Sequence, residues 1–203
     1  MHGLRYSQFL RTGLSYAVLL FVGIGCQVHP RALEPLSELP LATRPDQPPY
    51  SVSRMHVQTM PQVSYCYVAT RSSFQDLPRT AGPIVAALQQ SVIVRSAIAG
   101  PRLFIYHDPS EDPSKPCNME IGYPVGGDTP APAGLQMRRL PAFRCAAVIY
   151  RGSMRHLDEA YAKLIPEIIA AGYIPSEESR ESYLVWEGPD SPRNVVQIEV
   201  GIR

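Results

Sequence analysis

Glu181 and Tyr183 are the residues whose types and spacing most directly suggest chemistry. They lie two apart in the run Glu181-Ser-Tyr-Leu-Val-Trp186, which reads as a strand. On a strand Glu181, Tyr183 and Val185 point one way, and Ser182, Leu184 and Trp186 the other. A carboxylate among aromatic side chains in a partly desolvated pocket attracts cations, and ring faces add about 0.5–2 kcal/mol of cation–π attraction. Burial would also raise the carboxyl pKa, which suits acid–base work. The plainer alternative is a solvated glutamate at a strand start. Eleven tyrosines are many for this length. Tyr67, Tyr106, Tyr150 and Trp186 join Glu181 and Tyr183 as candidate ligand contacts, while Tyr161 reads as core. Tyr65 and Tyr67 share a strand face, as do Phe104 and Tyr106.

Other chemistries find less support. His107 and His156 have no partner at triad or metal spacing and read as surface or helix-start residues. Ser153 lacks a nucleophile-elbow G-x-S-x-G and is better explained as a helix cap. Gly126-Gly127 precedes prolines rather than a helix, so it is no phosphate loop. The four cysteines, Cys26, Cys66, Cys117 and Cys145, form no CxxC and have no histidine at ligand spacing, which argues against zinc. Buried free thiols are favoured over a disulfide among the last three. No metal site and no cofactor is expected. With a formal net charge of +1, the chain has no field that would gather nucleic acid, and no nucleic-acid partner is expected.

The elements that must position Glu181 follow from periodicity. Gln62–Ala69 is rich in β-branched and aromatic residues after Met60-Pro61 and reads as a strand. Phe74–Ile98 reads as one helix, with Pro83 near its first turn and Gly100-Pro101 stopping it. Arg102–His107 and Asn118–Val125 are the next strands, and Gly126–Leu135 a linker. The pattern then restarts: the strand Phe143–Tyr150, and a helix with Leu157, Ala160, Tyr161, Leu164, Ile165, Ile168 and Ile169 on one side. Pro166 lies inside that helix and Gly172 ends it. The last strands are Arg180–Glu187 and Asn194–Ile202.

The two halves superpose at an offset of 80 residues, Pro61 on Pro141, Val68 on Val148, Leu77 on Leu157 and Tyr106 on Trp186, with one residue of slippage setting Gly122 on Gly201. On this register Glu181 stands opposite Pro101. The expected fold is α+β: two strand–helix–strand–strand units sharing one antiparallel sheet, with both helices on one face and a pseudo-two-fold axis. Repeat 1 covers about 55–125 and repeat 2 about 136–203.

The N-terminus reads as a targeting segment. His2, Arg5 and Arg11 precede an uncharged run holding Tyr16-Ala-Val-Leu-Leu-Phe-Val22, the pattern of an export signal. It ends in Val22-Gly-Ile-Gly-Cys26, which resembles the lipobox of bacterial lipoproteins, with Gly23 where an aliphatic residue is usual. A lipoprotein with Cys26 lipidated, a cleaved secretory signal and an uncleaved anchor remain the three readings. Residues 27–54 hold Pro30, Pro35, Pro40, Pro45, Pro48 and Pro49 and read as an extended tether. The domain itself is expected over 55–203, exported, and anchored to a membrane at its N-terminus or secreted.

Leu140-Pro141, Ala147-Val-Ile-Tyr-Arg-Gly152, Ala160-Tyr161, Leu164, Gly172 and Glu181-Ser-Tyr183 together resemble the signature of GyrI-like domains, the effector-binding domains of AraC- and MerR-type regulators. Gly100-Pro101, Tyr106-His-Asp108 and Gly122-Tyr-Pro-Val125 extend the resemblance over roughly Met55 to Arg203. It implies a ligand pocket at the pseudo-two-fold axis that takes amphipathic, often cationic, molecules, with Glu181 as the matching acidic position. Some stand-alone members hydrolyse strained-ring toxins, which implies an alternative hydrolase with Glu181 as acid or base and Tyr183 assisting. The haem-binding SOUL proteins share the duplicated architecture and supply a third reading, tetrapyrrole binding. The chain differs from the regulators in its export segment and in showing no DNA-binding domain in its sequence.

Overall fold

A computed structural model describes residues 48–110, 112–127 and 130–203. The expected export segment with Cys26, and most of the proline-rich stretch, lie outside the described residues. Among those described, no helix is long and apolar enough to cross a membrane.

The elements follow in the order β1 (Ser51–Val52), β2 (His56–Met60), β3 (Val63–Ser72), α1 (Leu77–Gln90), α2 (Val92–Ala97), β4 (Arg102–His107), β5 (Cys117–Val125), β6 (Gln136–Leu140), β7 (Phe143–Arg151), α3 (Leu157–Ala170), β8 (Pro175–Val185) and β9 (Val195–Ile202). All strands belong to one antiparallel sheet, ordered β1-β7-β9-β8-β4-β5-β3-β6, with β2 also on β7. This is the expected α+β architecture: β3-α1-β4-β5 and β7-α3-β8-β9 are the two units, joined where β4 pairs β8.

The sheet closes on itself. Only Pro61 and Gln62 separate β2 from β3, and only Pro141 and Ala142 separate β6 from β7, yet β2 pairs β7 while β3 pairs β6. Met60 lies opposite Phe143 and Val63 opposite Leu140, so the two long runs pair along their length and bring the sheet's ends together. Proline suits both breaks, because it has no amide to give a ladder. The enclosed side holds Tyr65, Leu103, Ile105 and Leu140. Closure also covers edges that would otherwise expose unpaired backbone groups.

Strand alternation sends the other side chains to the helices. Cys66, Phe104, Tyr106, Met119, Ile121 and Tyr123 pack with Val85 and Leu88 of α1. Ala146, Val148, Val196, Ile198 and Val200 pack with Ala160, Leu164, Ile165 and Ile168 of α3. Tyr183 contacts both cores. Cys66, Cys117 and Cys145 are buried and free, the thiol reading favoured by their spacing.

Local structure departs from expectation in five places. The helix expected over Phe74–Ile98 is two helices, broken at Ser91, whose extended backbone ends α1 and whose hydroxyl caps Val94 N of α2 at 3.4 Å. A serine offered local backbone partners competes with helix continuation, and the β-branched Val92-Ile-Val94 adds little helix propensity. Pro83 sits within α1 rather than in its first turn, which Pro78 occupies instead. Ile169 is exposed, because α3 turns its Leu164–Ile165–Ile168 stripe to the sheet. Strand pairing also begins ahead of residue 55, with Ser51 opposite Arg151 and Val52 opposite Tyr150. Ser153, expected to cap the helix, caps instead the short 3-10 turn ahead of α3, its hydroxyl accepting from Arg155 N at 3.3 Å, and α3 itself starts after His156 without a side-chain cap.

The pairing registers locate the pseudo-two-fold axis. With Tyr65 superposed on Cys145, their partners Pro124 and Gly201 superpose, and the offset in this strand falls from 80 to 77. Carried through the next ladders, Phe104 superposes on Glu181 and Tyr106 on Tyr183. Phe104 and Glu181 are also direct partners across β4 and β8. The axis therefore passes through that pair, which corrects the alignment of Glu181 with Pro101 and of Tyr106 with Trp186. A sequence comparison sees only matching residue types; the missing three residues fall between helix and strand, where few matches mark them.

Candidate functional site

Glu181 lies at the centre of the sheet, flanked by Phe104 on β4 and Ile198 on β9, and points to the helix side. It is 2 % exposed. Three phenols donate to it: Tyr106 to Oε2 at 2.9 Å, Tyr183 to Oε2 at 2.7 Å and Tyr161 to Oε1 at 2.9 Å. These come from β4, β8 and α3, so both units and a helix converge on one carboxylate. Tyr106 and Tyr183 are symmetry-equivalent, and the same oxygen receives both.

A carboxylate offers about four lone-pair positions, so three phenols leave room for one further donor or cation. Burial pushes the Glu181 carboxyl above its ordinary range, and the bonds from Tyr183, Tyr106 and Tyr161, with the nearby Arg102 charge, pull the other way. The phenols themselves are driven far above their usual value, first by burial and then by the carboxylate. They are fixed donors and stay protonated across the physiological range.

Through Tyr183 the carboxylate adjoins an aromatic stack. Tyr183 tilts against Phe104, ring centres 4.9 Å apart, and meets Trp186 edge-on at 5.5 Å. Arg102, opposite Tyr183 in the ladder, places its guanidinium carbon 4.5 Å from the Tyr183 ring centre, 4.6 Å from that of Trp186 and 5.5 Å from that of Phe104. Trp186 is 42 % exposed and forms the outer edge. Simple alternation would send Trp186 away from Tyr183. The pairing shifts between Tyr183 and Val185, and β8 ends at Val185, which frees Trp186 to turn back; bulges re-aim side chains in this way.

The structure thus gathers Glu181, Tyr183, Tyr106 and Trp186 of the expected set. It does not bring in Tyr67, which lies on the enclosed side stacked on Tyr65 at 5.2 Å. Tyr150 shares the helix side but is fully buried, stacks on Tyr50 at 5.9 Å and gives its hydroxyl to the Ser153 carbonyl. Two residues escaped the sequence reading. Tyr161 was placed in the core, and its ring is there; the missed signal is that a tyrosine hydroxyl on an apolar helix stripe needs a buried partner. Arg102 is the other: a cation opening the aromatic strand Leu103-Phe-Ile-Tyr106.

His107 and His156 are engaged elsewhere. His107 Nε2 is 3.2 Å from Glu120 Oε1, and His156 Nδ1 is 3.0 Å from Glu159 Oε1. Among the described residues no three histidine, cysteine or carboxylate groups cluster to hold a metal.

The family model for the GyrI-like small molecule binding domain matches residues 55–203. No curated protein matches the chain. Several solved structures share the fold. The EcmrR C-terminal domain is 20% identical with a TM-score of 0.57, covering 74% of this chain and 97% of that one. EcmrR in its complex with DNA is 18% identical with a TM-score of 0.59, covering 76% of this chain but only 57% of that one. This chain therefore spans little more than half of the EcmrR chain in that complex. SAV2435 bound to tetraphenylphosphonium is 12% identical with a TM-score of 0.54, covering 74% of this chain and 94% of that one.

Proposed function

The chain belongs to the GyrI-like small-molecule-binding domains, and from that premise we propose that it binds an amphipathic, cationic molecule against Glu181. The observation that carries this reading is the buried carboxylate held by three phenols beside an aromatic stack. The phenols fix its orientation, so the carboxylate itself reorganises little when a cation arrives. Apolar parts of the ligand would lie along Trp186, which is exposed at the edge of the stack. The tetraphenylphosphonium held by SAV2435 supplies a suitable probe, a lipophilic cation that cannot hydrogen-bond. Placement outside the cytoplasm rests on the export-type N-terminus, with the lipidation of Cys26 or an uncleaved span as the route to a membrane.

A hydrolase has less support, because the Tyr183 hydroxyl is committed to Glu181 rather than aimed at open space. Haem binding would need an axial ligand, and His107 and His156 face carboxylates.

The test is calorimetric titration of the full chain with tetraphenylphosphonium, followed in parallel by the fluorescence of Trp186, the single tryptophan. At about 5 Å and an effective dielectric of about 20, a carboxylate and a cation attract by ~3 kcal/mol. Glu181→Gln should therefore weaken the cation by roughly 100- to 200-fold and leave a neutral triphenyl analogue unchanged. Equal cation affinities in the two proteins would refute the assignment.

A further inference from the structure

The aromatic cage beside Glu181 already contains a cation, and it belongs to the chain. The Arg102 guanidinium lies over three rings, those of Tyr183, Trp186 and Phe104, all within 5.5 Å. Its Nε is buried and makes no hydrogen bond. A surface arginine ordinarily extends to water or to a carboxylate; a guanidinium tolerates this position because it is weakly hydrated and stacks on ring faces. The side chain has thus given up a hydrogen bond to occupy ring faces, where an aromatic cage would otherwise take a foreign cation. Glu181, bonded by the Tyr183 of that stack, is 2 % exposed, so an incoming charge reaches it only if side chains that bury it move.

We propose that Arg102 is a tethered competitor: its guanidinium fills the cage formed by Tyr183, Trp186 and Phe104, and a ligand cation binds by displacing it. The competition sets a threshold of selectivity. A molecule must offer more apolar contact than the arginine stem, together with a positive charge, to open the stack; small hydrated cations do neither. The positive charge of Arg102 also acts on the Glu181 carboxyl, drawing its pKa down against the effect of burial. This inference rests on the cation-binding reading above but is separable from it.

The experiment compares Arg102→Gln and Arg102→Lys with the unaltered full chain, using tetraphenylphosphonium and a neutral triphenyl analogue as probes. Removing a cation–π competitor should tighten tetraphenylphosphonium by ~3- to 30-fold in Arg102→Gln. The neutral probe should change much less. Arg102→Lys, which keeps the charge but loses the planar stack, should fall between. Millimolar ethylguanidinium should then compete with the probe in Arg102→Gln and shift Trp186 emission back toward that of the unaltered chain, an effect that a merely structural arginine would not give. Unchanged or weaker cation binding in both variants, while Glu181→Gln still weakens it, overturns the competitor and leaves the binding reading intact. No cation binding by any form overturns both. If Arg102→Gln loses its fold, the Arg102→Lys affinity decides: no gain there refutes the proposal.

Discussion

Tyr106→Phe removes one oxygen and leaves the ring in place, so it isolates what a phenol contributes to the buried carboxylate. Tyr106 is 1 % exposed and its ring also packs on Phe74 at 5.3 Å, contacts that phenylalanine keeps. The lost bond is a 2.9 Å hydrogen bond to Glu181 Oε2. A hydrogen bond to a charged group contributes ~1.5–3 kcal/mol, against ~0.5–1.5 kcal/mol between neutral groups. The pH dependence follows from the sign of the Glu181 shift. Burial raises its folded pKa above the ordinary 4.5, so the folded state binds the proton more tightly, and this group's contribution to stability falls as pH rises through the folded pKa. The Tyr106 bond opposes that shift; without it the folded pKa moves further up and the fall extends to higher pH. Above the folded pKa the variant should lose the full charged-bond contribution, which lowers Tm by about 4–10 °C for a domain of this size. Below 4.5, where Glu181 is protonated folded and unfolded, the gap should shrink to about half or less. Thermal melts of both proteins at pH 4 and pH 8, read by near-ultraviolet circular dichroism, provide the assay. An equal gap at the two pH values would refute the argument, because the phenol would then not be bonded to an anion.

Two further outcomes follow from the packing. A Cβ at Gly122 would stand 2.1 Å from the Cys66 carbonyl oxygen and 2.8 Å from Tyr67 Cα, both backbone atoms of the paired strand; Gly122→Ala should cost ~3 kcal/mol or more, and a urea midpoint near that of the unaltered chain would refute the close approach. Burial pushes the Cys66 and Cys117 thiols up, and Cys145 to about 12, where Glu199 adds to the effect. None should react with a thiol-specific disulfide reagent at pH 8 until the protein is unfolded, and rapid labelling of the native protein at any of the three would contradict the placement.

Much of the architecture was legible because its causes are local. The β-branched and aromatic run Gln62–Ala69 and the 3.6-residue stripe of α3 are written in neighbouring residues, and the duplication shows in residue types shared between halves. Glu181 and Tyr183 were legible for the same reason, since two residues on one strand face one way. What escaped was any feature with a partner far along the chain. β2 and β6 are short runs that pair across the closure rather than with their own unit, and nothing local announces that. Tyr67 and Tyr106 look alike in sequence, yet the closed sheet sends one to its enclosed side and the other to Glu181.

The sequence alone carried most of the elements, their duplication and a carboxylate among aromatic residues, because backbone periodicity and side-chain type act over a few residues. Only the tertiary structure decided which aromatics meet that carboxylate. A three-residue shift between the halves puts Glu181 on the pseudo-two-fold axis opposite Phe104, so that Tyr106 and Tyr183 flank it symmetrically and α3 supplies Tyr161. The same register brings Arg102 over the rings. Register is set by the pairing of whole strands, each choice coupled to every other, and a slip of one residue would have turned each of these side chains to the opposite face.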